Sequence, residues 1–202
     1  MYPSALVITL DIAAKNHPDI LMDIKRWQIK NAFSKGFFDI IWASPPCTEY
    51  SPAMTRKPRD ISDANNIVRA ILKSIEDAQP RTWFLENPHT MLYKQTFMTP
   101  YEHLRHTCTH CKYRGRVKKP TDIYTNVKLP RLKHCDDEPC TERKRTGGHS
   151  KTAQQGYSGE KRNIPGTNAK KANKIPARLL RVLIDAAKNH ITSVANERIT
   201  WE

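Results

Sequence analysis

The chain has 202 residues, 38% of them hydrophobic and 27% charged, and its 34 Lys or Arg outnumber 20 Asp or Glu to give a formal net charge of +14. That length accommodates one domain with a real core rather than two independent ones. No apolar run reaches the ~20 residues a bilayer-spanning helix needs, and MYPSALVITLD at the start lacks the basic region and small-residue cleavage site of a secretory signal.

SALVITLDI (4–12) is apolar and β-branched and predicts a buried parallel strand ending at Asp11. ILMDIKRW (20–27) sets Asp23 in a connection after a short apolar stretch, and FFDIIWAS (37–44) predicts a second strand running into a turn that presents Cys47 behind Pro45 and Pro46. From Ser62 the spacing of Ile67, Val68, Ile71, Leu72 and Ile75 predicts an amphipathic helix closed by Pro80, and RTWFLENP (81–88) reads as a strand stopped by Pro88. Strand, helix and strand in this order, with a cysteine and carboxylates at the strand ends, predict an open parallel α/β sheet with its site at the carboxyl edge. After Tyr101 clustered cysteines, histidines and dense positive charge replace that alternation, as an insertion or recognition element would. Residues 144–174 read as a long polar loop that orders on a partner. Pro176 opens a last helix with Leu179, Leu180, Leu183, Ile184 and Ala187 on one face, directed at the core.

Residues 141–174 hold nine Lys or Arg against Glu142 and Glu160, a field that favours polyanions through counterion release. Five cysteines is an odd number, and in a reducing, intracellular setting they are catalytic or metal-binding rather than disulfide-bonded. Cys47 stands apart; Cys108, Cys111, Cys135 and Cys140 form two pairs, CTHC and CDDEPC, at spacings close to those of a structural zinc site.

Pro45-Pro46-Cys47 at one strand end and Glu86-Asn87-Pro88 at the next, separated by one amphipathic helix, resemble the DNA (cytosine-5)-methyltransferases. ASPPCTEYS, WFLENP, KPTDIYTN, SKTAQQG and IPARLLRVLI are similar to segments of the small DNA methylases of bacteriophages and large algal viruses. The resemblance covers most of residues 5–187. It implies a Rossmann-like sheet that binds S-adenosylmethionine, forming a single methyltransferase-like domain over 1–202 with a small Cys-rich, basic zinc-binding or recognition insertion at 103–150. It implies cytoplasmic double-stranded DNA as substrate, with the target cytosine flipped into the pocket. Cys47 is the implied nucleophile, adding to carbon 6 of the ring so that carbon 5 can accept a methyl group, and Glu86 the implied proton partner of the ring nitrogen. Asn87 would organise the backbone near Cys47, Pro45 and Pro46 would fix the loop, and Arg56 would touch a phosphate or the ring. Lys119 and Thr121 lie where related enzymes carry a Gln-x-Arg-x-Arg strand that holds the base.

On the cofactor side the resemblance assigns Asp11, with Ile12, to the ribose hydroxyls, Asp23-Ile24 to the adenine, and Pro45 to the cofactor side of the loop. The family also opens with a glycine-rich turn about twenty residues before the ribose carboxylate, and no glycine precedes Gly36 here. The expectation is an N-terminally incomplete sheet: a truncated reading frame, a degenerate relative, or a chain completed by a second polypeptide. For zinc, His149 or His110 competes with Cys108 as fourth ligand beside Cys111, Cys135 and Cys140. Two further readings stay open: a non-catalytic, zinc-containing nucleic-acid-binding protein derived from a methylase, and an RNA cytosine methylase, which the Pro-Pro-Cys and Glu-Asn order fits less well.

Overall fold

The computed structural model describes residues 5–52, 54, 58–115, 117–135 and 174–199. They form an α/β mixture that clusters into two compact units, one drawn from Met1–Asp39 with Asp60–Arg81, the other from Ile40–Arg59 with Thr82–Glu202.

In the first unit β1 (Leu10–Asp11) pairs in parallel with β2 (Ile20–Leu21), Leu10 opposite Ile20 and Asp11 opposite Leu21. The predicted strand over 4–12 is therefore reduced to its carboxyl end. Just before it the Thr9 carbonyl still accepts the Ile20 N–H at 2.9 Å, but the Thr9 N–H and hydroxyl each donate to the Asp19 carboxylate at 2.7 Å. Leu6 and Val7 stay exposed, so β-branched composition alone does not make a buried strand. α1 (Ile61–Ala78) starts where Asp60 accepts the Asp63 N–H at 2.9 Å, an N-cap of the kind that contributes about 1 kcal/mol. It buries Ala64, Val68, Leu72, Ile75 and Ala78. Gln79, left-handed at φ 46°, ends it one residue before Pro80, whose ring disfavours helical geometry at the preceding residue.

The second unit holds a four-stranded sheet of β3 (Ile40–Ala43), β4 (Thr82–Pro88), β5 (Arg105–Thr109) and β6 (Pro120–Thr125), in the order β3-β4-β6-β5. β3 and β4 are parallel, as the sequence predicts. β6 runs antiparallel to both β4 and β5, so the sheet is mixed rather than open and parallel. Residues 105–125, which read as part of an insertion, thus supply two of its strands; residues 136–150 lie outside the described part. α2 (Ala177–Ile199) buries Leu179, Leu183 and Ala187 in a cluster with Phe84, Cys108, Tyr113, Ile123 and Val127. Its apolar face is narrower than the spacing predicts, because Leu180 is 39% exposed and Val182 and Ala186 take the flanks.

Truncating Leu183 to Ala should lower unfolding stability by about 2–5 kcal/mol, through lost burial and the cavity left behind. Leu180→Ala should stay within about 0.5 kcal/mol of the parent in the same urea titration.

Candidate active site

The site is built where the parallel pair β3 and β4 ends, so that the two carboxyl ends lie on one edge. β4 is buried from Thr82 to Asn87, and its last three residues are polar or conformationally stiff because the strand there leaves the core for the edge. Two clamps fix the turn after β3. Asn87 Nδ2 donates to the Pro45 carbonyl at 3.2 Å across 42 positions of sequence, which makes Pro45 a buried piece of scaffold. Arg59 gathers the far side of the turn, donating through Nη2 to the Ser51 and Met54 carbonyls at 3.0 and 3.4 Å, with Nη1 3.1 Å from Met91 Sδ. Between these clamps Pro46 is exposed, Cys47 half-buried, and Tyr50 fully buried as the anchor.

The ammonium of Lys119 lies 3.4 Å from Glu86 Oε1, with both side chains more than nine-tenths buried (5% and 7% exposed). Cys47 feels this pair. Burial pushes its thiol pKa up, the Lys119 charge pulls it down, and the Glu86 charge pushes it up again. Behind the pair, the Thr121 hydroxyl lies 3.1 Å from His110 Nε2 and 3.3 Å from the Lys119 carbonyl, so it is occupied within the fold. Burial, helped by Lys119, lowers the His110 pKa to about 3, and the imidazole stays neutral. The backbone around His110 closes tightly: Gly115 donates its N–H to the His110 carbonyl, and a Cβ at Gly115 would stand 2.6 Å from that oxygen, which leaves room only for glycine.

Residues 10–118 match the family model of the C-5 cytosine-specific DNA methylases, a span that holds both Cys47 and Glu86. The chain belongs to that family. It is also 25% identical over 197 residues to a probable DNA (cytosine-5)-methyltransferase of Frog virus 3 (isolate Goorha), a match covering 88% of this chain and 87% of the viral protein. Lys119 and Thr121 lie just beyond the family-matched span.

In this methylase four of the five residues expected on the cofactor side, Asp11, Ile12, Asp23 and Ile24, are in the first unit, and the fifth, Pro45, is in the second. Asp11 ends β1 and accepts the Ala13 N–H at 2.8 Å through one oxygen and the Asn16 amide at 2.6 Å through the other. These bonds lower its pKa and hold it ionised. A carboxylate offers about four acceptor positions, so Asp11 retains capacity for a diol. Asp23 accepts the Lys25 N–H at 2.9 Å, Ile24 is half-buried, and Ile12 is 68% exposed beside Asp11. An ionised carboxylate with spare acceptor positions, as at Asp11, has the chemistry that the ribose diol of S-adenosylmethionine would need.

The zinc expectation fares differently. Among the described residues no group of three or more His, Cys, Asp or Glu is placed to hold a metal ion. Cys108 sits in β5 opposite Thr121 and belongs to the apolar cluster under α2, where burial drives its thiol pKa up to about 12. Cys135 is buried and donates its N–H to the Thr109 hydroxyl, while Cys111 lies in the 3-10 turn His110–Tyr113. These three cysteines are not a ligand set, because strand alternation directs Cys108 into the core. Cys140, His149 and Arg56 lie outside the described residues.

The sequence singles out Arg56 rather than Arg59, and offers His110 only as a zinc ligand rather than as the partner of Thr121, because both roles depend on contacts made through the fold. The only local signal for either was Gly115, which follows the histidine by five positions.

Replacing Lys119 by Met should cost about 3–5 kcal/mol of stability by leaving the buried Glu86 charge unpaired, whereas adding Glu86→Gln to that variant should recover most of the loss. Urea unfolding of the two single variants and the double variant measures both effects.

Proposed function

We propose that the chain transfers a methyl group from S-adenosylmethionine to carbon 5 of a cytosine in DNA, with Cys47 as nucleophile and Glu86 as proton partner. Family membership and the buried Lys119–Glu86 pair beside a half-buried Cys47 support this reading; the placement of that pair is the observation that carries it.

A cytosine ring is too weak a nucleophile at carbon 5 to take a methyl group unaided. Attack of the Cys47 thiolate on carbon 6 forms the S–C6 bond and moves the C5=C6 electrons onto carbon 5, while ring nitrogen 3 takes a proton from the Lys119–Glu86 pair. The cofactor supplies the methyl group as an electrophile. Loss of the carbon 5 hydrogen as a proton to solvent then re-forms C5=C6 and breaks the S–C6 bond, Cys47 leaves as thiolate, and ring nitrogen 3 returns its proton to the Lys119–Glu86 pair. Lys119 serves both stages: its charge stabilises the thiolate and holds the Glu86 carboxyl at the ring edge. Asn87 keeps the Cys47 turn in register with Glu86 by tying Pro45 to β4.

Asp11, with Ile12, would take the ribose and Asp23-Ile24 the adenine, on a Rossmann-like sheet. The target base must leave the duplex to reach a thiol seated behind two prolines. Double-stranded DNA would be held through the excess of Lys and Arg in a salt-dependent way.

The wild-type chain with S-adenosylmethionine should form a denaturant-stable adduct with duplex DNA containing 5-fluorocytosine, and Cys47→Ser should form none. Because burial raises the Cys47 pKa, the thiolate is the minor form at neutral pH. The trapping rate should therefore rise with pH, and in Lys119→Met the rise should move to higher pH, at roughly tenfold in rate per pH unit of displacement. Gel analysis of the labelled duplex reads all three. Adduct in the serine variant would remove Cys47 from the chemistry.

A further inference from the structure

A second polar cluster lies on the other face of β4 and β6. Asp122 pairs in register with Asn87 on one side and Thr107 on the other, and its side chain is 3% exposed. Both carboxylate oxygens lie 2.9 Å from His89 Nδ1, and Oδ1 also accepts the Thr107 hydroxyl at 2.7 Å. The imidazole is stacked on Tyr93 at 4.6 Å with the rings only 4° from parallel, and the Arg105 guanidinium lies 4.6 Å from the same ring. Lys94 is nearby, its ammonium 5.7 Å from the Tyr93 centroid. His89 is thus pinned at one nitrogen and one ring face, yet its side chain is 35% exposed.

Nothing in folding calls for this arrangement. A buried carboxylate is expensive to desolvate, and apolar side chains of similar volume serve a core at least as well. What the cluster does provide is orientation. Asp122, an acceptor, calls for the hydrogen of His89 on Nδ1, and no described residue bonds to Nε2. Two further buried donors beside the same carboxylate, Arg105 Nη1 and the Tyr124 hydroxyl, also have no hydrogen-bond partner among the described residues. Arg105 stands 4.0 Å from Asp122, too far for a hydrogen bond, and reaches Glu102 only at 3.5 Å. The third buried polar atom without a partner among the described residues, Asn87 Oδ1, is an acceptor, and the cluster opens directly after Pro88, at the strand edge that carries Glu86 and the Cys47 turn.

We propose that His89 is a DNA-phosphate contact, with Asp122, Thr107 and Tyr93 positioning its ring and Arg105 and Lys94 adding charge around it. With a proton on both ring nitrogens, His89 donates Nδ1–H to Asp122 and Nε2–H to a phosphate oxygen of the duplex engaged at the neighbouring site. The contact fixes where the backbone lies relative to Cys47 and carries no base preference. This inference rests on the DNA-methylase reading.

The test uses the full chain and fluorescently labelled 20-base-pair duplexes of two unrelated sequences, titrated across a range of salt. His89→Ala should weaken binding roughly tenfold on both duplexes and lower the slope of log affinity against log salt by about 0.9, the loss of one phosphate contact. His89→Gln, which keeps most of the volume but cannot carry the charge, should show the same loss of slope, and thermal unfolding certifies that either variant is folded. Unchanged affinity and slope in folded variants would overturn the assignment. A loss confined to one of the two sequences would overturn it as well, by making His89 a base contact. Trapping of 5-fluorocytosine by the wild type keeps the two readings apart: if wild type forms the adduct while His89→Ala binds normally, only the phosphate contact fails, and if wild type forms no adduct, the methylase reading fails whatever the variants do.

Discussion

The ion pair between Lys119 and Glu86 is the constraint on which the rest of the site depends. Two charges more than nine-tenths buried, 3.4 Å apart, are tolerable only while both are present, since either alone would leave several kcal/mol of desolvation uncompensated. That requirement fixes the register of β6 against β4, because Lys119 reaches Glu86 only when Glu86 stands opposite Ile123 and Pro88 opposite Thr121. It also sets the electrostatics of Cys47. Burial alone would leave a plain inert thiol, and the nearby ammonium counters that effect while the carboxylate limits how far it does. Stability and reactivity therefore draw on the same two side chains.

The turn that carries Cys47 is held by its ends. Pro45 and Pro46 remove backbone freedom before the cysteine, Asn87 ties the Pro45 carbonyl to β4, and Arg59 binds carbonyls beyond it. Tyr50, fully buried, supplies the apolar anchor. Such a loop presents one half-buried side chain with little conformational freedom left to lose, which is what the role proposed for Cys47 requires.

Much of this was legible in the sequence, and the parts that were not share a cause. β4 reads correctly from Thr82 to Pro88 and α1 from the period of its apolar residues, because each is a strong local pattern that ends at a proline. The Cys47 turn and the Glu-Asn pair are legible because their residue types are unusual at strand ends. The strand over 4–12 is shorter than the sequence predicts because Asp19, ten positions away, takes the Thr9 N–H that a longer ladder would use. Cys108 and Cys111 suggest metal by their spacing, and what separates them is that a strand ends between them, placing Cys108 in the core and Cys111 in a turn. Lys119 was readable only as a charge near the right place; that its partner is Glu86, 33 residues earlier, follows from antiparallel pairing that no local window contains. His89 and Asp122 are silent for the same reason.

β6 shows how little sequence is needed to build both sites. In PTDIYT successive side chains alternate between the two faces of the sheet. Thr121 and Ile123 lie on the face of Glu86, Cys108 and the α2 cluster, while Asp122 and Tyr124 lie on the face of Asn87, Thr107 and Arg105. A slip of one residue would exchange these sets, placing Asp122 against Phe84 and Leu183 and turning Ile123 toward His89. The apolar core under α2 excludes that slip, since it would bury a carboxylate with no partner. Packing on one face of the sheet thus enforces the placement of polar groups on the other, and the strand that Lys119 immediately precedes carries Asp122 to His89 in the same register.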